Sequence, residues 1–386
     1  MAFKQKITIY IFILFNQICN AAMYAVYYLY LTNDLKLSNE HAVMLTTPMF
    51  VMKLIFELPT GFFADRYGLK KSIIISYFLM LVDAVIFVST KSYPVLFISS
   101  GIYGIGAAFF SGAFEAFTVE LFKDDLQKYF SNKHILENLF TVIVPLGVVF
   151  LLPLINYRGI YLINVSIRIF MLAFLLLNLK EPKSHGEIPV FGIEFLRLGM
   201  GSLIKEIKIS KSIQYHAIAS FLWGFAFLII DIYWIKIFSI NYGDSWVGYF
   251  LSICGVLGIF VGFIGHKIKN QKRLYWLSFA GATIMLTLSC FVMGSNIFIL
   301  VFLIRSFLQS IHDVISPNIV NKIIEKDRAS LLSFLSFVST IGSIIASTTI
   351  GRMADVSGYI TPWVICAVLM MVISFLLYKV QKEMKN

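Results

Sequence analysis

Apolar blocks of about 18 residues or more, and so of membrane-crossing length, alternate with short polar connections along the whole chain. Twelve are predicted, over residues 7–31, 41–63, 72–90, 95–121, 134–155 and 160–179, then 211–240, 245–266, 274–293, 296–323, 331–352 and 360–379. A block of this length crosses a hydrocarbon core of about 30 Å as a helix. Inside lipid the backbone has no water to bond, so helices satisfy every N–H and C=O group within the segment. The pattern therefore predicts an all-α polytopic membrane protein of twelve transmembrane helices. The first block follows Lys4 and Lys6 and is too long for the core of a cleavable signal peptide, so it is read as a retained helix.

Composition agrees. Of 386 residues 59% are hydrophobic and 14% charged, with a mean hydropathy of +0.82; soluble domains carry roughly a quarter charged residues. Charge then orients the helices. With the N-terminus cytoplasmic, 24 of the 32 Lys and Arg residues fall on cytoplasmic segments, and only Lys36, Lys91, Arg158 and Arg352 fall outside. That bias is the one expected of a bacterial cytoplasmic (inner) membrane protein with both termini inside. A wrong helix count would scramble it. The net charge of +11 follows from the same sorting and implies no nucleic-acid partner. Cys19, Cys254, Cys290 and Cys366 all lie in apolar segments without a CxxC, so no disulfide or metal framework is expected.

The longest polar connection divides the chain into an N-terminal six-helix bundle (1–179), a cytoplasmic central loop (180–210) and a C-terminal six-helix bundle (211–386). Within the loop, "GIEFLRLGMGSLIKEIKI" suits either a basic amphipathic helix on the inner leaflet or a plain linker. The halves echo one another. "GFFADRYGLKK" follows the second span and "GFIGHKIKNQKR" the eighth, with His266 in the place of Asp65; "GRMADVSG" closes the eleventh.

"GFFADRYGLKK" resembles the signature loop of the major facilitator superfamily, G-x-x-x-D-[RK]-x-G-x-[RK]-[RK], matched at Gly61, Asp65, Arg66, Gly68, Lys70 and Lys71. The "ELPT" before it, "FSGAFEAFTVELF" in the fourth span and "SPNIVNKIIEKDRASLLSFLS" between the tenth and eleventh resemble a drug-efflux-like branch. The resemblance covers essentially the whole chain and implies two pseudo-symmetric six-helix bundles and a cytoplasmic gate at this loop. Gly61 and Gly68 would let helix ends approach and turn. Asp65 would accept N–H groups at a helix start, and Arg66 would bridge to Glu120 at the inner end of the fourth span. Lys70 and Lys71 are also explained by topology alone. One departure stands out: the antiporter signature of the fifth span is absent, the segment reading "TVIVPLGVVFLLP".

Ionisable side chains within a bilayer cost about 2.5–3.5 kcal/mol or more and call for a partner or a purpose. Lys53 and Glu57, four apart, are a candidate intrahelical pair; Asp83 and Arg168, at similar depth, are a candidate structural pair across two helices. Spans 1, 4, 7 and 10 line the cavity in the resembled family. Asp231 and Glu115, on two of them, are the proton-coupling candidates, and Arg305 is a candidate partner of Asp231. His312 and Asp313 also fall in the tenth span. Asn20, Tyr24, Trp223 and Arg305 are the substrate-cavity candidates, with Asn16, Tyr27, Tyr233 and Trp234 offering similar chemistry. Trp363 is read as an interfacial anchor.

No Walker A, HExxH or GxSxG motif and no clustered histidine ligands occur, so neither an enzyme nor an ATP-driven pump is expected, and no cofactor or metal. The sequence points to a monomeric secondary transporter whose partners are a small-molecule substrate, protons and the lipid bilayer. Its first reading is proton-coupled efflux of small amphipathic organic compounds; its alternative is movement of an anionic or zwitterionic solute such as a siderophore or organic acid.

Overall fold

The computed structural model describes residues 2–123, 125–181, 210–265, 270–323 and 328–383. Helices dominate: α1 (Ala2–Leu29, continued by a wide turn Tyr30–Asp34), α2 (Asn39–Met44), α3 (Thr46–Tyr67), α4 (Leu69–Ser89), α5 (Tyr93–Leu121) and α6 (Leu126–Asn178). After the central connection come α7 (Lys211–Tyr242), α8 (Ser245–Gly265), α9 (Gln271–Val292), α10 (Ile297–Ile323), α11 (Arg328–Ser357) and α12 (Ile360–Glu383). Among the described residues, ten helical stretches are long and apolar enough to cross a membrane. The central-loop segment proposed as an amphipathic helix and the loop holding His266 lie outside the described residues.

Two local features revise the boundaries. The fifth and sixth predicted spans form one 53-residue helix assignment, α6, broken at Asn156, whose φ of 54° is left-handed. The Asn156 side chain accepts the Gly159 N–H at 3.2 Å, restarting the helix beyond the break. The Pro59-Thr60-Gly61 stretch near the end of the second span does not turn. α3 runs through Pro59 to Tyr67, and the Thr60 hydroxyl donates to the Phe56 carbonyl at 2.8 Å. The corner comes at Gly68, with φ 104° and ψ 149°, a conformation open essentially to glycine.

The chain forms two compact units, residues 1–188 with 243–255, and residues 189–242 with 256–386. In the first, α5 packs against α3 and α4, and α1 against α6. Its core gathers Phe12, Tyr77, Phe114, Phe117, Met171 and Leu175. One end is cross-linked by polar bonds: Gln5 donates to the Asn178 carbonyl at 2.8 Å and accepts the Lys180 N–H at 3.0 Å, and Lys6 pairs with Asp125 at 3.2 Å. At the other end the Tyr157 hydroxyl donates to Asp244 and accepts from Asn33.

In the second unit α7 packs against α11 and α12, and α9 against α10 and α12. The α7–α11 crossing is made of small residues. A Cβ on Gly224 would collide with the Ser339 backbone, one on Gly342 with the Phe221 carbonyl, and the Ser343 hydroxyl donates to the Gly224 carbonyl at 3.0 Å. Without a hydrophobic drive between helices in lipid, such close approach is what holds them. Trp363 is fully buried and donates to the Ser289 hydroxyl at 2.8 Å, so it is a core residue and not an interfacial anchor. Tyr233 and Trp234 are likewise core, the Tyr233 hydroxyl donating to the Ile350 carbonyl at 2.8 Å.

Candidate functional site

Helical spacing sets up a site in the second unit. On α10, Gln309, His312, Asp313 and Ser316 recur at i, i+3, i+4 and i+7 and so share one face; His216, Ser220 and Trp223 do the same on α7. Tyr275 and Phe279 on α9, and Ile373 and Leu377 on α12, are each one turn apart. These four faces enclose a cavity of about 150 Å³.

The cavity has aromatic walls and a polar floor. Trp223 meets Phe279 edge to face, with centroids 5.7 Å apart, and the His312 ring stacks on Tyr275 at 4.8 Å. His312 Nδ1 lies 2.8 Å from the Tyr275 carbonyl. A carbonyl only accepts, so Nδ1 carries the proton and Nε2 of the neutral ring is left as an acceptor. Gln309 donates to one Asp313 oxygen at 2.9 Å. Its own Oε1, in a side chain 8% exposed, has no partner among the described residues. His216 Nδ1 faces the Tyr275 hydroxyl at 3.4 Å. Asp313 is exposed and lines the cavity.

Of the expected cavity residues, Trp223 lines this space, and Arg305 lies two turns along α10, buried, with its guanidinium 5.5 Å from the Phe302 ring. Asn20 and Tyr24 are exposed on one face of α1 in the first unit. Asp231 is half-buried on α7, and Glu115 is exposed on α5.

The first-unit candidates depart from expectation in four ways. Among the described residues Asp83 and Arg168 form no ion pair. The Ser99 hydroxyl donates to Asp83 at 2.7 Å, while Arg168 donates through Nε to Asn164, one turn away, at 2.8 Å. Lys53 and Glu57 make no ion pair either among the described residues, and Glu57 is exposed. Arg66 is exposed, with its guanidinium 5.5 Å from the Tyr67 ring, and among the described residues no Arg66–Glu120 ion pair is found. A Cβ on Gly61 would meet nothing within 4 Å, so no close approach occurs there.

A carboxylate that the sequence pattern did not single out caps the helix start after Gly68. Glu181, just past α6, accepts the N–H groups of Leu69 at 2.6 Å and Lys70 at 3.0 Å. Opposite the positive end of α4 this anion is stabilised. The Asp65 side chain lies outside the described residues. Sequence reading missed Glu181, although an acid directly after a span and beside Pro182 was a usable signal. His216 and His312, too far apart in sequence to form a cluster, are each aligned with a polar face by their spacing to Ser220, Trp223, Gln309 and Asp313.

A sequence model described as Major Facilitator Superfamily matches residues 9–320. The chain belongs to the major facilitator superfamily. A Bacillus subtilis (strain 168) protein named "Uncharacterized MFS-type transporter YxaM" is 26% identical over 351 residues, 87% of this chain and 86% of that one. Solved structures of the same fold include the nucleoside transporter NupG (TM-score 0.77, 13% identity, 98% and 99% of the two chains). A POT family transporter in complex with 5-aminolevulinic acid is similar at a TM-score of 0.74, with 13% identity and 97% and 95% coverage. A bacterial homologue of the human lysosomal transporter Spinster, in an inward-facing and unoccupied conformation, follows at 0.73, with 13% identity and 98% and 96% coverage. As a superfamily member this is a multi-pass membrane transporter of small molecules, and not an enzyme.

Proposed function

We propose that this superfamily member is a secondary active transporter that exports small amphipathic organic compounds in exchange for protons. We place both termini in the cytoplasm and count twelve spans, taking α6 as two. The carrying observation is the second-unit cavity, where aromatic walls sit beside the titratable groups His216, His312 and Asp313. Aromatic rings with polar edges suit amphipathic solutes, and a group that gains or loses a proton in contact with the solute gives the coupling a physical basis. Asp231 and Glu115 are proposed as further proton carriers along the route, and Arg66 and Glu120 as a gate pair formed in another state of the cycle.

A second reading rests on Arg168, which is 4% exposed and whose Nη1 has no partner among the described residues. A buried, partly unsatisfied guanidinium suits an anionic or zwitterionic solute. 5-Aminolevulinic acid, in the complex of one structural relative, is such a zwitterion.

The test uses proteoliposomes with an internal pH dye and an imposed gradient, challenged with lipophilic cations, nucleosides, organic anions and zwitterions. Proton movement triggered by the lipophilic cations and reduced in Asp231→Asn is the expected result. Movement triggered by anions or zwitterions alone replaces the first reading by the second. Solute flux without proton movement excludes proton coupling.

A further inference from the structure

The polar floor of the second-unit cavity presents three open acceptors beside the hydroxyls of Ser220, Tyr275 and Ser316. Gln309 Oε1 is buried without a partner among the described residues. His312 Nε2 carries a lone pair because Nδ1 is committed to the Tyr275 carbonyl. Asp313 keeps one carboxylate oxygen open while the other accepts from Gln309. Open acceptors facing this space make it complementary to a ligand with N–H donors. The carboxylate adds preference for positive charge, and the faces of Trp223 and Phe279 attract a cation as well. The space, about 150 Å³, has room for the charged end of a solute with one small ring.

We propose that this cavity binds the guanidinium or primary ammonium group of a small aromatic solute, and that proton and cation exclude each other there. The exclusion follows from the groups facing the site. His216 faces it from α7, Tyr275 from α9, and His312 and Asp313 from α10, while α12 contributes only Ile373 and Leu377. Arg305 stands two turns away on α10, and Lys211, Lys272, Arg273 and Lys379 on the same helices do not line the space. Each protonation open to the site either neutralises Asp313 or makes a histidine cationic. Either change removes an acceptor and repels or releases a bound cation. The solute class deepens the transport reading above, but the binding itself is testable without any flux.

The test is titration calorimetry on the full-length protein in detergent, with benzylguanidinium, the neutral isostere benzylurea and the anion phenylacetate. A guanidinium stays charged throughout the working range, so any pH dependence belongs to the protein. Benzylguanidinium should bind, with benzylurea and phenylacetate at least about tenfold weaker (tenfold being about 1.4 kcal/mol). Its affinity should fall at least about tenfold on going from about pH 8 to about pH 5, and likewise in Asp313→Asn, which preserves the shape of the side chain. Equal binding of benzylurea, no binding of the cation, or unchanged affinity in a folded Asp313→Asn overturns the site assignment; binding indifferent to pH overturns the exclusion. The ligand series on the unaltered protein decides by itself if Asp313→Asn does not fold. Proteoliposomes that move other solutes while benzylguanidinium fails to bind would refute this inference and leave the transport reading intact.

Discussion

At the scale of single residues, the contact between Gly68 and Glu181 is the most exposed to test. A Cβ at position 68 would lie 2.9 Å from the Glu181 carboxyl carbon, on a backbone at φ 104°. Gly68→Ala is expected to lower stability by about 1–3 kcal/mol through strain alone, read as a shift in thermal unfolding of the purified protein. Glu181→Ala removes both N–H contacts at the start of α4, and is expected to cost about 0.5–2 kcal/mol, as losing a helix cap does. Because the two side chains would occupy the same space, their effects should be less than additive; full additivity would show that they do not meet. The glycine was legible in the sequence as part of a loop motif. Its partner was not, because Glu181 lies 112 residues further on than the Leu69 N–H it accepts and no local pattern joins them. Asp83 and Arg168 failed in the converse way: depth along two helices suggested a pair, yet each found a nearer neutral partner in Ser99 or Asn164.

Elements were easier to read than contacts, since a twenty-residue apolar run states its own length while a side chain does not state its neighbour. The break in α6 was placed to within a few residues because Asn156 and the Arg158-Gly159 pair interrupt the apolar run. Asn156→Val puts a β-branched residue at a φ of 54° and should cost about 1–3 kcal/mol, whereas Asn156→Gly should be nearly neutral; thermal unfolding of the two variants separates them. The α7–α11 crossing was hidden, as Gly224 and Gly342 stand far apart in the chain and neither belongs to a motif. Gly342→Val drives a side chain into the Phe221 carbonyl and is expected to abolish a monodisperse folded protein on gel filtration. Ser343→Ala, losing one interhelical hydrogen bond, should cost only about 0.6 kcal/mol, the average for such bonds in a membrane. The site followed the same rule. The one-face spacing of α7 and α10 was present in the sequence, but that these two faces meet α9 and α12 around one cavity is a property of the fold.

For the whole molecule, one chemical idea joins the family to the site: an acceptor-rich, aromatic-walled cavity takes a cation or a proton, and not both. Mutual exclusion at one site gives exchange across the membrane only if the site faces the two sides in turn, which is what transport by alternating access supplies. The most direct measurement is uptake of radiolabelled benzylguanidinium into proteoliposomes with an acidic interior. A permanently charged guanidinium is not trapped by pH as a weak base would be. The account predicts accumulation against the solute gradient, abolished by a protonophore and reduced at least about tenfold in Asp313→Asn. Uptake no greater than in protein-free vesicles, or uptake indifferent to both the protonophore and the substitution, would contradict it.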